Sequence, residues 1–350
     1  MRAELPDNTK KFIVDMPKVE LHVHLEGAIP LQTLFQLIQR KGTEPSIRTL
    51  DDLRRKLVHT DFIRFAELWR WRKTFTTVEE DFEEIAYQLL NNLHQQNVKY
   101  VEVIFAPGDC GREGLSIQGI TEYAIKGKER AHTDFGIKSE LIVELSRTRE
   151  PERGMQILDE ITPYLGNGII GISLGGREYG FPAKPYATVY REARERGFRL
   201  TAHAGEFAGA DSICDAIENL GVERIGHGTR ANEQPKLVSL IKDRLIPLEM
   251  CVTSNLILGV CKSIEEHPIR EYFDKGLLVT VNSDDPTMFN TSITQEYGVL
   301  ARELGFSIAD LKHLSMNSID ASFMPEEDKE STKSLFEREW KQLLNKDCTK

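Results

Sequence analysis

The sequence predicts an α/β protein built as a (β/α)8 TIM barrel, and three observations carry the prediction. Short apolar, β-branched runs recur eight times, longer charged segments of helical character separate them, and no Gly/Ser/Pro-rich linker or low-complexity stretch divides the 350 residues. Strands that alternate with helices specify a parallel sheet, and eight is the number that closes one into a barrel. A single domain over residues 1–350 is the matching expectation, because such barrels commonly run past ~250 residues.

The first strand is KVELHVHLEG (18–27), where Val19, Leu21, Val23 and Leu25 alternate with Glu20, His22, His24 and Glu26. That period of two sends both imidazoles to one face. A helical insertion over 28–97 follows, placed to overhang the C-terminal mouth of the barrel. It contains DFIRFAELWRWRKTF (61–75), an aromatic-rich helix. Phe62 and Phe65 are its expected pocket walls, and Arg70 and Arg72 its expected solvated face. The next strands are VKYVEVIFAP (98–107), GIKSELIVEL (136–145) and GIIGISLGG (168–176). FRLTAHAGE (198–206), ERIGHGTR (223–230), IPLEMCVTSN (246–255) and LLVTVNSDDP (277–286) complete the eight. Segments between them, such as PYATVYREARERG (185–197) and PIREYFDKG (268–276), are amphipathic and end in Gly, as helices often do. The tail, 306–350, reads as closing helices.

Composition narrows the partners. A net charge of -10 with no long basic run argues against nucleic-acid or anionic-membrane binding. The five cysteines are odd in number, widely spaced and without a C-x-x-C pair, which fits reduced thiols in a cytoplasmic setting. The N-terminal MRAELPDNTKKFIVDM lacks the apolar core of a signal peptide. No run approaches the ~18 apolar residues that span a bilayer. The pattern specifies no oligomeric state.

In a barrel the chemistry sits at the C-terminal ends of the strands. Read there, the chain offers His22, His24 and Glu26, then Gly175 and Gly176, then His203 with Glu206, then His227, then Asp284 and Asp285. Any one of these has an ordinary structural explanation; five such strand ends in one barrel, four of them with polar side chains, do not. Neutral imidazoles with one carboxylate suit a zinc-type divalent ion with a position open for water. His22 and His24 can reach one ion from one strand, and His203 and Asp284 can complete the set. The fourth strand supplies no Lys or Glu to bridge a second metal, so one ion per subunit is expected. Glycine at 175 and 176 permits close backbone approach to a flat ring.

These residues, in this order, resemble the adenosine deaminase family of the amidohydrolase superfamily. The matching motifs are PKVELHVHLEG, TAHAGE, RIGHGTR, TSN and NSDDP, spread from residue 17 to about 300, and SMNSIDASF (315–323) looks like the family's closing helix. The resemblance implies zinc held by His22, His24, His203 and Asp284, with a water in the remaining position. It implies that His227 orients that water and accepts its proton, and that a protonated Glu206 donates to purine N1. Asp285 would bond N7, the Gly176 N–H would meet N3, and His24 would also border the substrate. Glu26 would face the sugar side, beneath an apolar lid that includes Phe62 and Phe65. The implied reaction is hydrolytic deamination of adenosine or 2′-deoxyadenosine to the inosine analogue and ammonia, in purine salvage.

Two features pull toward other 6-aminopurines. Nucleoside deaminases carry aspartate where this chain has Glu26, and often arginine where it has Ile104; the glutamate resembles adenine deaminases. The fourth strand, SLGGRE, is closer to the nucleoside pattern, with Ser173 replacing its usual aspartate. Adenine, or a modified nucleoside such as aminodeoxyfutalosine, is therefore the alternative substrate. The partner is a small purine nucleoside or base.

Overall fold

A computed structural model describes residues 4–110 and 114–347. Eight parallel strands run β1 (Lys18–His24), β2 (Val98–Phe105), β3 (Lys138–Ser146), β4 (Ile169–Gly175), β5 (Arg199–Ala204), β6 (Arg224–His227), β7 (Leu248–Met250) and β8 (Val279–Val281). Each pairs with the next in chain order. Past β8 the chain returns to β1: Asp284 N–H donates to His22 O at 3.0 Å and His24 N–H to Asp284 O at 2.9 Å. Those two bonds close a nearly complete barrel along a seam made by the segment after β8 rather than by the strand itself.

Strands seven and eight are shorter than their sequence runs. The chain leaves β7 at Met250, and Val252–Ile257 is helical, so Thr253, Ser254 and Asn255 lie on a helical turn instead of a strand. After β8, Asp284 adopts a left-handed φ of 61° and Pro286 opens the helical turn Pro286–Phe289. Proline's fixed φ suits a first helical position and cannot continue a ladder.

Helix α1 (Asp7–Asp15) precedes the barrel, and α2 (Leu31–Lys41), α3 (Leu50–Leu57), α4 (Phe62–Lys73) and α5 (Asp81–Gln95) fill the stretch between β1 and β2. Thr49 and Asp52 form a reciprocal capping box at the start of α3. Asp61 caps α4 by accepting the Arg64 N–H at 2.9 Å, satisfying a donor that a helix start would otherwise orphan. The expected solvated face of α4 is half wrong. Arg70 is exposed, but Arg72 is only 2% exposed, with its guanidinium 4.5 Å from the Trp69 ring centre. Arg72 stands one turn beyond Leu68, and both face inward; i, i+4 spacing puts them on one helix face.

The lower barrel is charged rather than purely apolar. Arg224, fully buried, meets Glu249 at 2.6 Å and Glu102 at 2.6 Å. Its guanidinium lies 3.7 Å from the Phe323 ring centre, just beyond the helix Ile308–Ala321. Glu102 also accepts the Phe323 N–H at 2.6 Å and the Tyr100 hydroxyl at 3.0 Å. Burial pushes the Glu102 carboxyl upward, and Arg224 opposes it. No helix among the described residues is long and apolar enough to cross a membrane. Cys110, Cys214, Cys251 and Cys261 are free thiols, and Cys348 lies outside the described residues.

Breaking one side of a buried ion network leaves uncompensated charge, which costs about 3–5 kcal/mol. Arg224→Met, which strands two carboxylates, is expected to lower unfolding free energy by roughly that amount in a denaturant titration. Lys138→Met removes only a partly exposed ion pair to Asp328 and should change stability by less than about 1 kcal/mol.

Candidate active site

Every strand-end residue singled out by sequence lies at the C-terminal mouth, and four converge on one point. One ligand atom each from His22, His24, His203 and Asp284 lie within 4.8 Å of one another. His24 Nε2 is 3.1 Å from His203 Nε2, and Asp284 Oδ1 is 3.3 Å from His24 Nε2 and 3.5 Å from His22 Nε2. The alternation of β1 explains the first pair: His22 and His24 share a face, and both are buried. Gly226 makes room beside them, since a Cβ there would stand 2.8 Å from His22 Cε1.

The outer nitrogens identify what the inner ones are for. His22 Nδ1 bonds Glu249 Oε2 at 2.7 Å, while Glu144 Oε2 lies 3.8 Å from His24 Nδ1 and 3.7 Å from His203 Nδ1. Glu249 thus gives His22 the usual carboxylate support of a metal-binding histidine, whereas Glu144 stands beyond hydrogen-bond reach of its two imidazoles and His203 Nδ1 is buried without a partner. His22 Nε2 is buried without a hydrogen-bond partner, and buried polar atoms left unpaired are costly. Three imidazole nitrogens and a carboxylate oxygen therefore fit a divalent cation of zinc type. His22, His227, Cys251 and Asp284 form an overlapping second set, but burial holds the Cys251 thiol well above its ordinary pKa, so it stays a poor ligand.

Around this cluster, burial sorts the carboxyls. Asp284 is held well below its usual range despite burial, through its bonds to His22 and His24. Burial and the Asp284 charge drive Asp285 the other way. Glu206 is likewise pushed well up, by burial first and then by Asp284 and Glu178. Two carboxyls pushed upward beside one held down separate the acidic groups of this site in the way that acid–base chemistry uses. Glu206 Oε2 is 3.7 Å from His227 Nε2, at the end of β6, where His227 takes a left-handed φ of 62°. Backbone strain of this kind, in a non-glycine residue, is stored at functional sites.

Sequence reasoning missed the supports. Glu178 accepts the backbone N–H groups of Gly205, Glu206, Phe207 and Ala208 at 2.6–3.0 Å, which fixes the loop that presents Glu206. Its one signal was position, just past the double glycine of the fourth strand. Glu144 and Glu249 announced themselves only as charges inside apolar strands. Asn255 Nδ2 lies 3.2 Å from His227 Nδ1, and His267 Nε2 lies 3.1 Å from Asn255 Oδ1.

The expected substrate side is more varied. Glu26 Oε1 accepts the Ala106 N–H at 2.8 Å and the Cys110 thiol at 3.4 Å, so half of this carboxylate ties β1 to the end of β2. Gly176 holds a positive φ of 88°; at Gly175 a Cβ would collide with Glu144 Oε2, 2.2 Å away. Trp69, not Phe62 or Phe65, is the α4 ring against the cluster, 6.2 Å from His24. Phe65 stacks on Phe289 at 5.3 Å and Phe62 meets Phe207 at 4.7 Å. The two phenylalanines thus pack on the residues that follow Asp285 and Glu206.

The sequence model of one protein family, described as adenosine deaminase, matches residues 17–338. The chain belongs to the adenosine deaminase family. It is 30% identical over 325 residues to an adenosine deaminase of Clostridium kluyveri, covering 92% of this chain and 93% of that one. It is 33% identical over 320 residues to an adenine deaminase of Wolinella succinogenes, covering 91% and 96%. A zinc-bound amidohydrolase structure from Burkholderia ambifaria aligns with a TM-score of 0.92 at 28% identity, over 99% of this chain and 97% of that one. As a member of this family the protein is a hydrolytic deaminase acting on a C–N bond.

Gly27 tests how tightly the site is built. A Cβ there would fall 1.6 Å from Asp285 Oδ1, so Gly27→Ala must displace that carboxyl. A displacement near 1 Å costs on the order of 100-fold in rate. The expected outcome is such a loss in kcat/KM for deamination, with the melting temperature measured alongside to separate misplacement from unfolding.

Proposed function

We propose that this protein deaminates adenosine and 2′-deoxyadenosine hydrolytically, using one zinc ion held by His22, His24, His203 and Asp284. The observation that carries the reading is the convergence of these four residues beside Glu206, whose carboxyl burial pushes well above its ordinary range. Zinc supplies Lewis acidity, making hydroxide available near neutral pH from water whose free pKa is ~15.7. The remaining roles belong to the chain. Glu206 donates to N1 of the purine, so that charge does not accumulate on the ring as C6 is attacked. Asp285, whose carboxyl is also pushed upward by burial, bonds N7, and the Gly176 N–H meets N3. His227 and Glu206, 3.7 Å apart, flank the attacking water and orient it. Ammonia leaves and a 6-oxopurine remains.

Adenine is the second reading, and Glu26 favours it. The family's aspartate-to-glutamate exchange extends a carboxyl by one methylene toward the sugar side, and the Wolinella relative is an adenine deaminase. Half of Glu26 is already committed to Ala106 and Cys110, so its free oxygen decides between a sugar hydroxyl and a closed pocket.

Adenosine, 2′-deoxyadenosine and adenine should be compared by loss of the 6-amino absorbance and by ammonia release. Turnover of the nucleosides is expected; turnover of adenine alone would overturn the nucleoside assignment, and no ammonia from any of them would overturn the function. His203→Ala should lose both metal and activity. Glu206→Gln should keep one zinc per chain by elemental analysis while kcat falls by at least ~100-fold; a fully active variant removes Glu206 from its role.

A further inference from the structure

His227 is the terminus of a buried hydrogen-bonded chain whose direction can be traced from an unambiguous donor. The Ile269 backbone N–H, which can only donate, points at His267 Nδ1 at 3.3 Å. His267 is fully enclosed, and burial pushes its imidazole down to about 3, so it is neutral. With Nδ1 accepting, its single proton sits on Nε2. That N–H donates to Asn255 Oδ1 at 3.1 Å, which fixes the orientation of the amide. Asn255 then presents its NH2 to His227 Nδ1 at 3.2 Å.

We propose that His267 is a positioning residue that, through Asn255, sets the tautomer of His227 with its proton on Nε2. An imidazole whose Nδ1 accepts a hydrogen bond carries its one proton on the other nitrogen. Nε2 is the atom that faces Glu206. It is therefore a donor toward the attacking oxygen and holds that oxygen in place, instead of accepting its proton as the family resemblance implies. This inference rests on the deaminase reading above.

The proton balance then runs through Glu206. Water adds across C6=N1: its oxygen bonds C6, the Glu206 carboxyl gives its proton to N1, and the carboxylate takes one from the attacking water. On collapse, the new hydroxyl proton passes by the same carboxyl to the amino nitrogen, the C6–N bond breaks and ammonia leaves. Glu206 ends protonated, as it began. His227 supplies a fixed hydrogen bond throughout and changes no charge.

Asn255→Asp is the discriminating change, because it keeps the shape and reverses the last link. A carboxylate accepts from both neighbours, so His227 must turn its proton to Nδ1. Imidazole 15N spectra of the zinc-loaded, histidine-labelled protein report the protonated nitrogen without substrate. The native chain should show His227 protonated on Nε2 and the variant on Nδ1, with zinc content unchanged and KM within about threefold. A reversed tautomer in a catalytic imidazole costs up to ~10⁴ in kcat, and at least a 100-fold loss is expected here. His267→Leu should lower kcat, and His267→Gln, whose Nε2 still donates, should recover most of that loss. A native His227 protonated on Nδ1 overturns the proposal, and so does a reversed variant with undiminished kcat. The spectra stand without turnover, so a chain that fails to deaminate any purine fails the functional reading separately.

Discussion

Glu249 is the residue on which the two halves of the barrel interior depend. One of its oxygens bonds His22 Nδ1 at 2.7 Å, and the other meets Arg224 at 2.6 Å. The carboxylate thereby belongs both to the upper cluster and to the ion network below it. Burial alone would raise its pKa, yet Arg224 and His22 hold it below the usual carboxylate range. A permanent anion at this depth orients His22 and keeps Nε2 directed upward. It also obliges the barrel to bury Arg224, which in turn requires Glu102 and the ring of Phe323 beneath it. Charge propagates through the interior because each buried ion must be met by another.

The segment between β1 and β2 works on the same electrostatic terms from above. Trp69 sits against His24, and Arg72 lies over Trp69 with the carboxyls of Glu26 and Asp285 among the groups facing it. Burial lowers the pKa of this guanidinium, and those carboxyls oppose the shift. A cation at this point offsets an excess of acidic groups around the mouth: Glu26, Glu144, Glu206, Asp284 and Asp285 are all buried or nearly so. The aromatic pairs Phe62–Phe207 and Phe65–Phe289 join α4 to the two loops that carry Glu206 and Asp285. Any movement of α4 would therefore be felt at both of these carboxyls.

The barrel was legible because strand-forming runs are short, β-branched and separated by turn residues, and eight of them admit few closures. The quartet of His22, His24, His203 and Asp284 was legible for a related reason: strand periodicity dictates which way a side chain points, and strand ends meet at one mouth. Arg72 was misread because a charged residue on a charge-rich helix looks solvated until the helix face is known. Asn255, on a short helical turn, and His267, well beyond its end, stand 12 residues apart, and no period relates them. Glu249 and Glu144 lie in apolar strands, and nothing local distinguishes a buried charge with a partner from a misplaced one. Position along an element is written locally; partnership across the barrel is not.

The seam between β1 and Asp284 has a thermodynamic meaning. His22 and His24 each exchange a backbone hydrogen bond with Asp284, and the same three side chains belong to the candidate metal cluster. The zipper that completes the cylinder and the residues that could hold a cation are one object. Binding an ion to residues that exist together only in the closed form favours closure by its own binding free energy. Conversely, a barrel that opens at this edge separates its ligands. Ring integrity and ion retention are thus two readings of a single equilibrium.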